Sequence, residues 1–100
     1  LMLATRRNED ARLLAVESRR ILLQSLPEDS WQVAAAMNVE GAALTEAGQY
    51  LDAERLLLAS RPALEQAPIP DLAEKGRRRL VELYTAWGKP EEARKYRAGS

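Results

Sequence analysis

The chain has 100 residues, 46% of them apolar and 30% charged, with fifteen basic side chains balancing fifteen acidic ones. That length holds one modest domain and no more. Cysteine and histidine are both absent, which excludes disulfides, Cys/His metal sites, thiol nucleophiles and the commonest general base.

Phe is absent and β-branched residues are scarce, a bias toward close-packed helices and away from sheets. Leu1 to Thr5 read as the tail of a helix whose start lies outside this sequence, so the chain is expected to be a piece of a longer protein. Asn8 or Asp10 can open the next helix, which is predicted to run to about Leu26 with a stripe of Ala11, Leu14, Ala15, Ser18 and Leu22. Pro27 ends it. Asp29 or Ser30 is placed to cap a further helix carrying Val33, Met37, Leu44 and Ala47, which stops at Gly48. From Asp52 a helix with Ala53, Leu56, Leu57, Ser60 and Leu64 is expected to about Gln66, bent near residues 58–62 by Pro62.

Ala67-Pro68-Ile69-Pro70 is a stiff connector, and Asp71 is placed to cap a fourth helix. Ala73, Gly76, Leu80, Leu83, Tyr84 and Trp87 form on it the clearest amphipathic stripe in the chain, ended by Gly88. Pro90 starts a last helix, with Glu91 and Glu92 near its positive N-terminal end. Trp87 and Tyr84 are expected in the core. Trp31, at a helix start, either plugs the preceding hairpin or anchors a partner. Gly99-Ser100 is either native or a cloning remnant.

The chain repeats itself. Residues 10–29 return at 52–71, a displacement of 42, with Asp10/Asp52, Ala11/Ala53, Leu14/Leu56, Ser18/Ser60, Arg19/Arg61, Leu22/Leu64, Gln24/Gln66 and Asp29/Asp71 identical. A fainter copy lies 40 residues further on, where Gly48 and Ala53 match Gly88 and Ala93. A helical unit of this length implies an array in which each unit buries its apolar face against its neighbours.

Gly48, Tyr50 and Ala53 form a turn glycine, an aromatic two residues on and a small residue three further. Gly88 and Ala93 repeat it with Pro90 in the aromatic's place, and Gly41 supplies a small residue where two helices approach. The pattern resembles tetratricopeptide repeats. The long spacing is similar to the kinesin-light-chain type and to bacterial arrays joined to serine/threonine kinase domains, which the ending LVELYTAWGKPEEARKYRA especially resembles. The resemblance implies an all-α fold: a right-handed superhelical solenoid of antiparallel hairpins, about two to two and a half units over 1–28, 29–68 and 69–100. It implies a non-catalytic scaffold or regulatory module in the cytoplasm. Arg6 and Asn8 stand where the first unit should have its glycine and aromatic, so that unit is atypical. Glu40 occupies a position where a large apolar residue is expected, as Leu80 is one unit later; its stem should lie on the core edge and its head reach water or an arginine.

Carried over by position, the groove-facing residues are Ala35, Asn38, Ala42 and Thr45 of one unit and Lys75, Arg78, Arg79 and Glu82 of the next. An amide beside several cations suits an acidic or C-terminal peptide as partner. No catalytic residue, cofactor or metal is expected: glycines are scattered singly, and the adjacent carboxylates Glu9/Asp10 and Glu91/Glu92 sit at helix starts. No apolar run nears the roughly 20 residues that span a bilayer, so no membrane partner is expected.

Residues 29–71 carry two basic and seven acidic side chains, and residues 72–100 carry eight basic and four acidic. Self-association, acidic middle against basic end, is therefore the alternative function. Nucleic-acid binding through Arg77–Arg79 is disfavoured by zero net charge and the lack of an exposed aromatic run among those basics.

Overall fold

Residues 2–97 are described by the computed structural model; Leu1 and residues 98–100, Gly99-Ser100 among them, lie outside that range. Five helices succeed one another in the chain, α1 Met2–Leu22, α2 Trp31–Glu46, α3 Tyr50–Glu65, α4 Pro70–Ala86 and α5 Pro90–Tyr96. No strand occurs among the described residues, and the protein is all-α.

The two turn glycines work identically. Gly48 has φ 80° and Gly88 φ 77°, a region in which a side chain is strained. The Gly48 N–H donates to Thr45 O at 3.0 Å and the Gln49 N–H to Leu44 O at 2.9 Å. Forty residues on, the Gly88 N–H donates to Thr85 O at 3.2 Å and the Lys89 N–H to Tyr84 O at 2.8 Å. Each pair is a Schellman cap that satisfies the last free carbonyls of a helix and turns the chain back.

Helix starts agree in part. Ser30 caps α2, its Oγ accepting from the Val33 N–H at 3.4 Å. Pro90 opens α5, with Glu91 and Glu92 in its first turn. Pro70 opens α4, so Asp71 lies inside the first turn and Ile69 stands at the cap with no side-chain bond. Pro62 sits within α3, which remains helical to Glu65. Leu58, whose carbonyl loses its donor to Pro62, is exposed, as is Pro62 itself, so the lost bond falls on the water side.

The first helix differs most from expectation. Met2–Leu22 is one helix, with no new start at Asn8 or Asp10 and an end one turn before Leu26. No Gly or Pro interrupts those residues, so propagation of the existing helix is favoured over a new nucleus. Asn8 instead crosses to the next helix, its Nδ2 donating to Ala43 O at 2.8 Å. Of the expected stripe, Ala15 is buried and Ala11 and Leu22 are half-buried, whereas Leu14 and Ser18 are exposed.

Each helix packs on its sequence neighbour, and α2 also packs on α4; α1 meets only α2 among the described helices. The molecule measures 38 × 36 × 20 Å, and 20 Å is about two helix diameters. Helices α2 and α4 thus lie side by side in one layer, and α1, α3 and α5 pack against them. The apolar core joins Leu44, Ala53, Leu57, Leu80, Leu83, Tyr84 and Ala93, with Tyr50, Leu56, Val81, Trp87 and Tyr96 against it. None of these belongs to α1. Helices α2 and α3 approach closely at Gly41, where an added Cβ would stand 2.7 Å from Leu57 Cδ2.

Four of the five aromatics form a ladder, Tyr50–Trp87 at 5.7 Å, Trp87–Tyr84 at 6.3 Å and Tyr84–Tyr96 at 6.0 Å between ring centroids. Lys89 Nζ lies 4.0 Å from the centre of the Trp87 ring, a cation–π contact closing its outer side. Trp87 and Tyr84 therefore fill the core as expected, while Trp31 is half-buried at the first position of α2.

Candidate functional site

Glu40 is buried among α1 and α2, and Arg19 Nη2 of α1 stands 3.2 Å from its Oε1. That approach is an ion pair without hydrogen-bond geometry, and Oε1 has no hydrogen-bond partner. Arg12 adds a second positive charge from the same helix. The carboxylate head thus reaches arginine at the core edge, and Glu40 ties α1 to α2.

The expected groove residues separate into three groups. Ala42, Thr45, Arg79 and Glu82 come together, lining with Glu46, Tyr50 and Ala86 a concavity of about 470 Å³ between α2 and α4. It adjoins a second of about 410 Å³, lined by Arg7, Asn8, Ala11, Val39, Ala42, Ala43, Glu46 and Arg79. Ala42, Glu46 and Arg79 are common to both, so the two form one surface across α1, α2 and α4. Lys75 and Arg78 are exposed on α4 and line neither part, and Ala35, half-buried on α2, lies outside both.

Asn38 forms the third group, because it lies beneath the surface. It is only 2% exposed and donates from Nδ2 to Ser60 Oγ at 3.2 Å, while Ser60 donates to Leu57 O at 3.0 Å. Its Oδ1 accepts from Arg79 Nη1 at 2.8 Å. One amide therefore joins α2, α3 and α4, as a buried polar group must be bonded to be tolerated.

Arg79 is half-buried, and burial lowers its pKa below the ordinary guanidinium range; Glu82 opposes that shift and Arg78 adds to it. The guanidinium stays charged at neutral pH. No ion pair joins Arg79 to a carboxylate among the described residues, and its hydrogen bond goes to the neutral Asn38. Two other arginines of the basic end differ. Arg77 pairs with Glu74 and Arg94 with Glu91 along their own helices. Thr45 turns its hydroxyl back on its helix, donating to Gly41 O at 3.0 Å.

A polar concavity whose wall holds a partly desolvated cation hydrogen-bonded only to a neutral amide can receive an anionic oxygen, and Tyr50 and Ala86 add apolar surface beside it. Arg7, Asn8, Val39 and Glu46 were absent from the sequence-based set. The place of Arg7 and Asn8 depends on how α1 lies across α2, which no spacing within one helix reveals, whereas Glu46 follows Ala42 by one turn of α2. Among the described residues no group of His, Cys, Asp and Glu could hold a metal ion, and no helix is long and apolar enough to cross a membrane. Compared with protein-family models, curated proteins and solved structures, the chain matches none of them.

Proposed function

We propose that this chain is a protein-interaction module of tetratricopeptide type with no catalysis of its own. It binds an acidic or C-terminal peptide segment in the concavity between α1, α2 and α4. The finer architecture belongs to the same reading: helix hairpins succeed one another in a right-handed superhelix. Packing of each helix on its neighbour, the α2–α4 contact and the equal corners at Gly48 and Gly88 support it. The resemblance adds a cytoplasmic regulatory setting beside a bacterial kinase domain.

One observation carries the binding reading: Arg79 is half-buried in the concavity wall without a carboxylate partner. Partial desolvation of a cation costs free energy, and a ligand carboxylate offsets that cost through charge-assisted, fork-like hydrogen bonds that the more distant Glu82 does not make. Asn38 positions the guanidinium and Glu82 at the rim disfavours ligands with further negative charge beside it.

The test is titration of the chain with a displayed library of peptides having free or amidated C-termini. Selected peptides should carry a free carboxylate or acidic side chains. Arg79→Gln should weaken them about tenfold or more, the scale of a charge-assisted hydrogen bond, with the helical circular dichroism unchanged. Equal affinity for Arg79→Gln and the parent would refute the reading. Self-association of acidic middle on basic end has less to draw on, since several cations of residues 72–97 are already paired within their own helices.

A further inference from the structure

The concavity between α2 and α4 holds both signs of charge. Its wall carries Arg79, but also Glu46 of α2 and Glu82 of α4. Both carboxylates are exposed, and neither takes part in an ion pair or a hydrogen bond among the described residues. Arg79 gives its own hydrogen bond to the neutral Asn38. The wall therefore offers one cation and two carboxylates, none of them in direct contact with a counter-charge. A ligand that is acidic throughout satisfies Arg79 and is repelled by Glu46 and Glu82.

These charges also come in a fixed order. Asn38 of α2 meets Arg79 of α4 at 2.8 Å, and just past the end of each helix Tyr50 stacks on Trp87 at 5.7 Å between ring centroids. Helices α2 and α4 thus run side by side in the same direction. Glu82 follows Arg79 by three residues, about 4.5 Å along α4. Glu46, the last residue of α2, lies beyond it toward Ala86 and Tyr50. Ala42 and Ala86 line the same wall and present apolar surface to an aliphatic stem.

Resting on the reading of this concavity as a peptide site, we propose that its ligand is a free peptide C-terminus whose last residue is lysine or arginine. The α-carboxylate bonds Arg79. The side-chain stem of the same residue lies along Ala42, and its charged head meets Glu82, with Glu46 one step further along the wall. The four-carbon stem of lysine spans the helical turn from Arg79 to Glu82. Both signs of charge in the wall are then matched by a single residue, which a run of acidic side chains cannot do.

The probes are hexapeptides of one alanine-rich sequence ending in lysine, norleucine or glutamate, each with a free and an amidated C-terminus. They are titrated into the whole chain and followed by amide NMR shifts at Glu46, Arg79 and Glu82. The free lysine peptide should bind at least about tenfold more tightly than the free glutamate peptide, with norleucine between them, because attractions to two carboxylates become repulsions. In the double variant Glu46→Gln, Glu82→Gln that preference should vanish or reverse. Both positions are exposed, and circular dichroism checks that the helices are kept. Equal affinity for lysine and glutamate ends, or a lysine preference that survives the double variant, overturns this inference and leaves the carboxylate site standing. Amidation without effect on the lysine peptide removes the carboxylate reading and this inference with it, as does the absence of saturable binding by every peptide.

Discussion

Arg79 on α4 donates to Asn38 Oδ1 on α2 at 2.8 Å, and the same amide donates onward to Ser60 on α3. Three helices are therefore joined through one side chain. Removing it should cost more than one hydrogen bond: Asn38→Ala leaves Arg79 without its acceptor and Ser60 without its donor. A loss of about 2–3 kcal/mol is expected from urea unfolding, the range for orphaned buried polar groups. A loss below about 0.5 kcal/mol would mean that water replaces the amide freely.

Glu40 presents the opposite case. Its Oε1 is buried without a hydrogen bond, and Leu80 holds the matching position one unit later, fully buried in the core. Glu40→Leu should be neutral or stabilising by up to about 1–2 kcal/mol, because a buried ion pair is often no better than apolar packing. Arg19 is partly exposed and can turn to water. A fall in the thermal midpoint would show instead that the Arg19–Glu40 pair holds α1 in place.

Gly48 and Gly88 offer a matched pair. An added Cβ at either meets nothing within 4 Å, so Gly→Ala there tests backbone conformation alone. Each should cost about 1 kcal/mol, and the two costs should agree. Gly41→Ala should cost more, about 1–3 kcal/mol, because the fully buried Leu57 cannot give way at 2.7 Å. Chemical denaturation of the three variants checks the order.

Tyr84 supplies a pH dependence. Burial, and then its 2.7 Å donation to Glu54, raise the phenol's pKa above the ordinary value of 10.0. The native state therefore holds this proton more tightly than the unfolded chain does. Its contribution to stability is complete below about pH 10 and falls as pH climbs above that value. Tyr84→Phe should lower stability at neutral pH and flatten the decline above pH 10, read from denaturation midpoints across pH. An equally steep alkaline decline in that variant would assign the effect to other tyrosines.

Local signals were enough to find four of the five helices and the corners at Gly48 and Gly88. They did not reveal the unbroken run of α1, for which a new start at Asn8 or Asp10 is the local expectation. Caps, prolines and glycines act within a few residues, so Ser30, Pro90, Gly48 and Gly88 mark their own structure. The stripe of α4 was legible for the same reason, since Gly76, Leu80, Leu83 and Tyr84 share one face of one helix and all are buried. The candidate site was legible only in part: Ala42, Thr45, Arg79 and Glu82 line the concavity, and Asn38 lies under it.

By itself the sequence determined an all-helical chain, its internal repeat and its turn positions, because these arise from backbone preferences and from periodicity along one helix. Tertiary packing alone decided which side of α1 is covered, that Arg7 and Asn8 reach the concavity, and that Arg79 rests on an amide rather than a carboxylate. Those outcomes depend on how separate helices cross. An amphipathic stripe specifies that a face will be buried, but the residue that meets it comes from elsewhere in the chain.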